Sequence, residues 1–276
     1  METEIIIIYC LSADYLKEIR HQENSQCQMS DAEVLTIAIA AALYFDSNYA
    51  LAQRFLSPQA YIGRSLSRSR FSRRLTRLKE HLLTLIALLA TIWKELNTDQ
   101  IYIVDSFPIP VCDNYRIRCC RIYQEEQFRG YQASKKRYFY GLKLHLLVTV
   151  AGQPVEFFFT PGSFSDTSEL AWFDFDLPQG ATVLGDKAYN LYWLEDVLQE
   201  AGIDLLPVRK KNSKRPLQPW EHGLIALNRQ RVETTGSLLE RLLPKHIHAT
   251  STSSFELKAV LFVLALSVGQ LISLLR

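Results

Sequence analysis

Thr182-Val183-Leu184 is a short apolar, partly β-branched run; Gly185 closes it and Asp186 follows at once. No other stretch restricts the possible folds of this chain so severely. Such a run reads as a buried strand, which puts Asp186 at its C-terminal tip with Lys187 and Tyr189 just beyond. Open α/β sheets place their chemistry at the carboxyl ends of strands. A second segment repeats the design. Ile101–Val104 reads as a strand ending in Asp105 and Ser106, where Pro108 and Pro110 exclude helix and suit an edge or a strand continuation. A third acid, Glu233, falls in a helical-looking segment, Asn228–Arg241, with Arg229 one turn before it. Each acid alone is explained by an ion pair or a helix cap. Two strand-tip aspartates followed by a helical glutamate form a carboxylate set suited to two hard cations such as magnesium.

With 276 residues, 48% apolar and 22% charged, the chain can bury a sizeable core and is not disordered. A net charge of +2 does not announce a nucleic-acid partner, so the clustering of basic residues matters more. The five cysteines are odd in number and form no C-x-x-C pair. That argues against a disulfide framework or zinc knuckle and for reduced cytosolic thiols. Ile5–Ile8 is too short for a signal-peptide core and follows acids. The apolar run Ala259–Leu275 is interrupted by Ser267, Gln270 and Ser273. It reads as a buried core helix, with a membrane span as the alternative.

The N-terminal region reads as all-α. Ser30-Asp-Ala-Glu33 matches a capping box ahead of the apolar run Val34–Phe45, and Tyr49–Leu56 reads as a further short helix. In Arg64–Lys79, Phe71, Leu75 and Leu78 share one face at helical spacing. Arg70, Arg73, Arg74 and Arg77 populate the rest, unrelieved by any acid until Glu80. They form either a solvated basic face or, the reading favoured here, a helix that grips DNA phosphates in a helix-turn-helix arrangement. Periodicity changes from helix to strand between Leu96 and Gln100, which sets a domain boundary between residues 1–97 and 98–276.

Beyond Asp105, Arg116, Arg118, Arg121, Arg129, Lys135, Lys136 and Arg137 interleave with Tyr115, Tyr123, Phe128, Tyr131 and Tyr138. This is a solvated connection, or a surface that neutralises phosphate while rings stack on unpaired bases. Tyr140–Val150 and Val155–Thr160 read as a hairpin; His145 within it reads as a satisfied core residue. Asp166 and Glu169 open the next helix, where capping and the helix dipole are enough to account for them, with a role for Asp166 in the site as the alternative. Leu191–Ala201 reads as an amphipathic helix stopped by Gly202, followed by a strand at Ile203–Val208. The basic loop Arg209–Arg215 lies between the second and third acids, making Lys210 and Lys211 candidate phosphate contacts. Helices at Ile225–Leu243, carrying Glu233, and Phe255–Leu275 complete the chain.

The element order after residue 99 resembles the ribonuclease H-like fold. The residues resemble more: Ile-Val-Asp105-Ser, Tyr140-Gly-Leu-Lys-Leu-His145, Phe164-Ser-Asp166, Leu-Gly-Asp186-Lys-Ala-Tyr189 and Arg229-x-x-x-Glu233, in that order. Together they resemble the DDE transposases of bacterial insertion sequences, over residues 30 to 270. Ala226 and Glu240 depart from the pattern, standing where related transposases often carry Tyr and Lys. The resemblance implies an α/β, ribonuclease H-like mixed sheet flanked by helices, preceded by an all-α N-terminal DNA-binding domain. It implies that Asp105, Asp186 and Glu233 hold two magnesium ions, with manganese able to substitute, about 4 Å apart. DNA would be cut at element ends by hydrolysis, and the freed 3′-hydroxyl joined to target DNA by transesterification. Lys187, Arg229, Lys210 and Lys211 would contact DNA alongside the N-terminal arginines. The implied partners are the double-stranded terminal repeats and the target DNA, bound by a homodimer, with no membrane. The implied location is the bacterial cytoplasm, at the nucleoid. A ribonuclease H-like nuclease or resolvase without strand joining, and a catalytically silent DNA-binding descendant, are the alternatives. The basic N-terminal region argues against the first and the intact triad against the second.

Overall fold

The computed structural model describes residues 1–57, 61–132, 135–209, 211–228, 247 and 249–276. Five helices open the chain: α1 (Glu2–Glu18), α2 (Asp31–Tyr44), α3 (Tyr49–Leu56), α4 (Arg68–Arg77) and α5 (Lys79–Leu96). Strands β1 (Ile101–Asp113), β2 (Arg129–Gln132), β3 (Arg137–Thr149) and β4 (Pro154–Pro161) follow. Next come the single turn α6 (Asp166–Glu169), β5 (Thr182–Gly185), α7 (Tyr192–Glu200) and β6 (Asp204–Pro207), and α8 (Thr252–Leu274) ends the series. A helical run also covers residues 219–228.

These elements form two compact units, one of Met1–Leu88 with Leu239–Arg276, the other of Leu89–Leu238. This division departs from the sequence boundary at 97/98, because α8 joins the N-terminal helices. The cause is the distribution of apolar residues. Both α2 and α8 are apolar on nearly all sides, and such helices must be buried on nearly all sides. They pack on each other. Val34, Leu35, Ile37 and Ile39 of α2 are fully buried, as are Phe255, Leu261, Val263 and Leu264 of α8. Among the described residues α8 alone is long and apolar enough to cross a membrane, and 67% of its most apolar window is buried within the protein. The capping box forms as the sequence specifies: Ser30 Oγ accepts from the Glu33 amide, and Glu33 accepts from the Ser30 amide.

The second unit is built on a six-stranded mixed sheet ordered β2-β3-β1-β5-β6, with β4 also pairing β3. The long β3 carries β1 on one edge. On its other edge β2 pairs with Arg137–Tyr140 and β4 with Leu142–Val148, end to end. Strands β1, β3 and β4 are antiparallel, while β5 and β6 run parallel to β1. The spatial order β4-β3-β1-β5-β6 with these directions is the ribonuclease H-like arrangement. One sheet face is closed by a core of Tyr102, Val104, Leu147, Val183 and Leu205 against Leu170, Phe173, Phe175, Leu194 and Leu198.

Candidate active site

The parallel ladder between β1 and β5 pairs Ile101 with Thr182, Tyr102 with Val183 and Ile103 with Leu184. Two residues further along each strand stand Asp105 and Asp186. Side chains alternate along a strand, so both aspartates share the face of Ile103 and Leu184, opposite the core just described. Asp105 is not at a strand tip, however. Strand β1 continues to Asp113 because β3 pairs with it all the way, from Tyr102↔Thr149 to Asp113↔Phe139. What ends near Asp105 is β5, at Gly185. Beyond that point no strand among the described residues pairs with this edge of β1, and Pro108 and Pro110 are accommodated there inside a strand. Gly185 is closely packed: a Cβ there would meet the Tyr189 and Val104 side chains at 3.1 to 3.2 Å.

Asp105 is an unusual carboxylate. Burial pushes its pKa up to about 7; the Ser106 amide, which donates to Oδ1 at 2.8 Å, opposes this, and the charges of Asp186 and Asp166 reinforce it. Asp186 is exposed and caps a short 3-10 turn, accepting from the Ala188 amide at 2.6 Å. A cavity of about 620 Å³ opens over the pair, lined by Asp105, Asp186 and Lys187 and walled by His222, Ile225, Ala226 and Asn228 of the helical run. Lys187 is exposed at this site. Lys211 is also exposed, in a turn. Glu233, Arg229 and Lys210 lie outside the described residues, as do Glu240 and Arg241. The helical run starts at 219 rather than at Ile225, and Glu221, in its first turn, accepts from the Gln218 amide.

Directly behind Asp105, on the opposite face, lies a polar cluster that sequence reasoning did not assemble. Ser106 pairs with His145, and Pro108 with Lys143, so these side chains share a face. Asp166 Oδ1 accepts from Ser106 Oγ at 2.9 Å and from Lys143 Nζ at 3.0 Å, while Lys143 also donates to the Phe164 carbonyl at 2.7 Å. The α6 cap is Ser165, and Asp166, in the first turn, joins this cluster in addition. His145 is buried as expected and its Nε2 meets Thr160 at 2.9 Å, but Nδ1 has no partner. Burial lowers its pKa to about 4. The Tyr189 hydroxyl is buried beside Ser106 of this cluster.

The basic features divide. In α4, Phe71, Leu75 and Leu78 are buried as the spacing predicts. Arg70, Arg73 and Arg77 are exposed, and with Arg74, Gln26, Gln28 and Leu66 they line a concavity of about 360 Å³. Arg74 is not free for phosphate: its guanidinium is held by Asp31 and the Met29 carbonyl. Asp31 also meets His21 Nε2 at 2.9 Å. His21, Glu23 and Asp31 bring ligand atoms within 4.8 Å of one another, but Asp31 is already neutralised by Arg74. In the 209–215 loop, Arg209 pairs with Glu195 at 2.6 and 3.0 Å and Arg215 with Asp196 at 2.7 and 2.9 Å. Those two arginines anchor the loop to α7.

Sheet order, strand direction and the paired acids define a ribonuclease H-like domain with a carboxylate site. Residues 95–250, more than half of the chain, match the transposase DDE domain family. The chain belongs to that family and is a transposase. Among solved structures it is similar to a piggyBac transposase synaptic complex with hairpin DNA, at 10% identity and TM-score 0.48, over 98% of this chain and 74% of that one. It is also similar to a Mos1 transposase paired-end complex with the left transposon end, at 10% identity and TM-score 0.26, over 86% and 88% of the two chains. No curated protein sequence matches it.

Proposed function

We propose that this transposase cuts DNA at the ends of a mobile element and joins the freed 3′-hydroxyl to target DNA, using Asp105, Asp186 and Glu233. The observation that carries this reading is that Asp105 and Asp186, each two residues past the last pair of the β1–β5 ladder, line one shared cavity. The donor set fits a hard divalent cation: two carboxylates whose mutual repulsion contributes to the raised pKa of Asp105, a strain that a cation relieves. Support for Glu233 as the third ligand comes from the chain path, since the helical run lines the cavity at Ile225 to Asn228, shortly before Glu233 in sequence. Magnesium bound there supplies Lewis acidity and a lowered pKa for water at phosphorus. The Ser106 amide holds one Asp105 oxygen in place, and Lys187 offers a cation to a phosphate at the cavity rim. No serine or tyrosine nucleophile is needed. The exposed arginines of α4 hold duplex DNA of the terminal repeats, in a homodimer acting at the bacterial nucleoid.

The test is magnesium-dependent cleavage and joining of DNA carrying the inverted repeats that flank the gene. Glu233→Gln abolishes both reactions while folding and DNA binding persist; Glu240→Gln leaves chemistry largely intact. The sequence reading places both acids on one helix, where seven residues span about 10.5 Å, too far for Glu240 to share one compact metal pair with Glu233. Normal cleavage by Glu233→Gln refutes the triad. Cleavage by the wild-type protein without any joined product reduces the activity to that of a nuclease.

A further inference from the structure

Residues 113–140 concentrate positive charge. They hold seven arginines and lysines against Asp113, Glu125 and Glu126, in a chain whose total is only +2. Part of this stretch folds as the β2–β3 ribbon, which pairs Gly130 with Phe139 and Tyr131 with Tyr138. The two faces of the ribbon differ. Phe139 is buried at 2% exposure, and a Cβ on Gly130 would lie 2.5 Å from its ring, so this face is packed shut. The other face presents Tyr131 and Tyr138, still 52% and 48% exposed, with ring centroids 4.9 Å apart. The Arg129 guanidinium lies 4.5 Å from the Tyr138 centroid and 3.6 Å from Glu126; Lys136 is exposed beside it, while Arg137 pairs with Asp113 at 3.1 Å. A cross-strand tyrosine pair stabilises a ribbon, but that role does not call for half-exposed rings inside a cationic surround.

The ribbon also has a fixed relation to the carboxylates. Asp105 pairs with Leu146, and Tyr138 is an even number of positions from Leu146 along the same strand, so Tyr138 and Asp105 share a sheet face. Their separation along β3 is roughly 26 Å at about 3.3 Å per residue. A strand keeping the duplex rise of about 3.4 Å per nucleotide would span this distance in about eight nucleotides, and an unstacked single strand in fewer.

We infer that Tyr131 and Tyr138, with Arg129, form a stacking platform for unpaired bases of DNA, placed on the catalytic face but away from the reacting phosphate. Tyrosine rings accept any base face, and the surrounding cations neutralise the backbone. The inference rests on the proposal that DNA is the substrate, and it is independent of the metal ligands.

The experiment uses the full chain without magnesium and a short single-stranded oligonucleotide carrying 2-aminopurine, whose fluorescence falls when the base stacks. Wild type quenches the probe. The Tyr131→Leu/Tyr138→Leu double variant loses the quenching and binds about tenfold more weakly, whereas Tyr131→Phe/Tyr138→Phe retains both. A blunt duplex of the same sequence is affected less than the single strand. Unquenched probe with wild type overturns the platform whether or not the leucine variant folds. Equal losses in the phenylalanine variant overturn stacking as the mechanism, and unchanged binding by a folded leucine variant overturns the site. A chain that quenches but never cleaves refutes the catalytic proposal alone; one that cleaves without quenching refutes the platform alone.

Discussion

Ser106 links the two faces of the sheet at the position where the chemistry is placed. Its amide holds Asp105 on one face, and its hydroxyl donates to Asp166 on the other. Groups that orient metal ligands are worth about 10- to 100-fold in metal affinity or activity. Asp166→Ala is expected to lower Mn²⁺ affinity, followed by electron paramagnetic resonance, by about that factor while leaving the DNA dissociation constant unchanged. Equal Mn²⁺ affinity in variant and wild type would confine Asp166 to a packing role. The pH dependence of Asp105 can be worked out as well. Its pKa is 3.8 ordinarily and about 7 when folded, so between these values the folded protein holds a proton that the unfolded chain has released. Without metal, its contribution to stability therefore declines as pH rises from about 4 through about 7. Asp105→Asn should flatten that part of the Tm against pH curve, and magnesium should raise the wild-type Tm most at the alkaline end. A decline of the same steepness in Asp105→Asn would assign the effect to another group. Asp105 and Asp186 were legible in sequence because each ends a short apolar run. The partners of Asp166 were not, because they come from β1 and β3 and are selected by strand register, which local sequence does not encode.

At the scale of elements, legibility followed how local the determinants were. Capping residues and periodicity gave α2 and α3 nearly to the residue, and the apolar alternation gave β3 and β4. The extent of β1 and the existence of β2 depend on pairing with β3, and four residues among arginines carry no strand signal of their own. The same divide separates the arginines of α4. Spacing identifies the helix and its buried face, but not that Asp31, on another helix, captures Arg74. Neutralising Arg70, Arg73 and Arg77 to Gln should reduce the slope of log affinity against log salt by about 0.9 for each phosphate that the helix no longer neutralises. Arg74→Gln should instead lower the Tm, with little change in that slope, because Asp31 and the Met29 carbonyl lose their donor. A slope that falls with Arg74→Gln as much as with the other three would return Arg74 to the DNA-binding set.

The whole chain closes one of its units with residues from both of its ends. Helix α8 follows the sheet unit in sequence, yet its buried side chains complete the core of the N-terminal helices, where Glu4 also pairs with Arg276. In the sheet unit, Tyr102, Val104, Leu147, Val183 and Leu205 are enclosed on one face by residues of 170–203. Removing a single large buried side chain costs about 2–5 kcal/mol, against a typical domain stability of about 5–15 kcal/mol. Deleting α8 removes Phe255, Leu257, Leu261, Phe262 and Leu264 at once. A chain ending at Ser251 is therefore expected to unfold its N-terminal helices while the sheet stays folded. Hydrogen exchange provides the measurement. Amides of α1 and α2 should lose protection, those of β1, β3 and β5 should keep it, and DNA binding through α4 should be lost. Protection retained in α2 would show that α8 is dispensable to that core, and simultaneous loss in β1 would show that the two units fold as one.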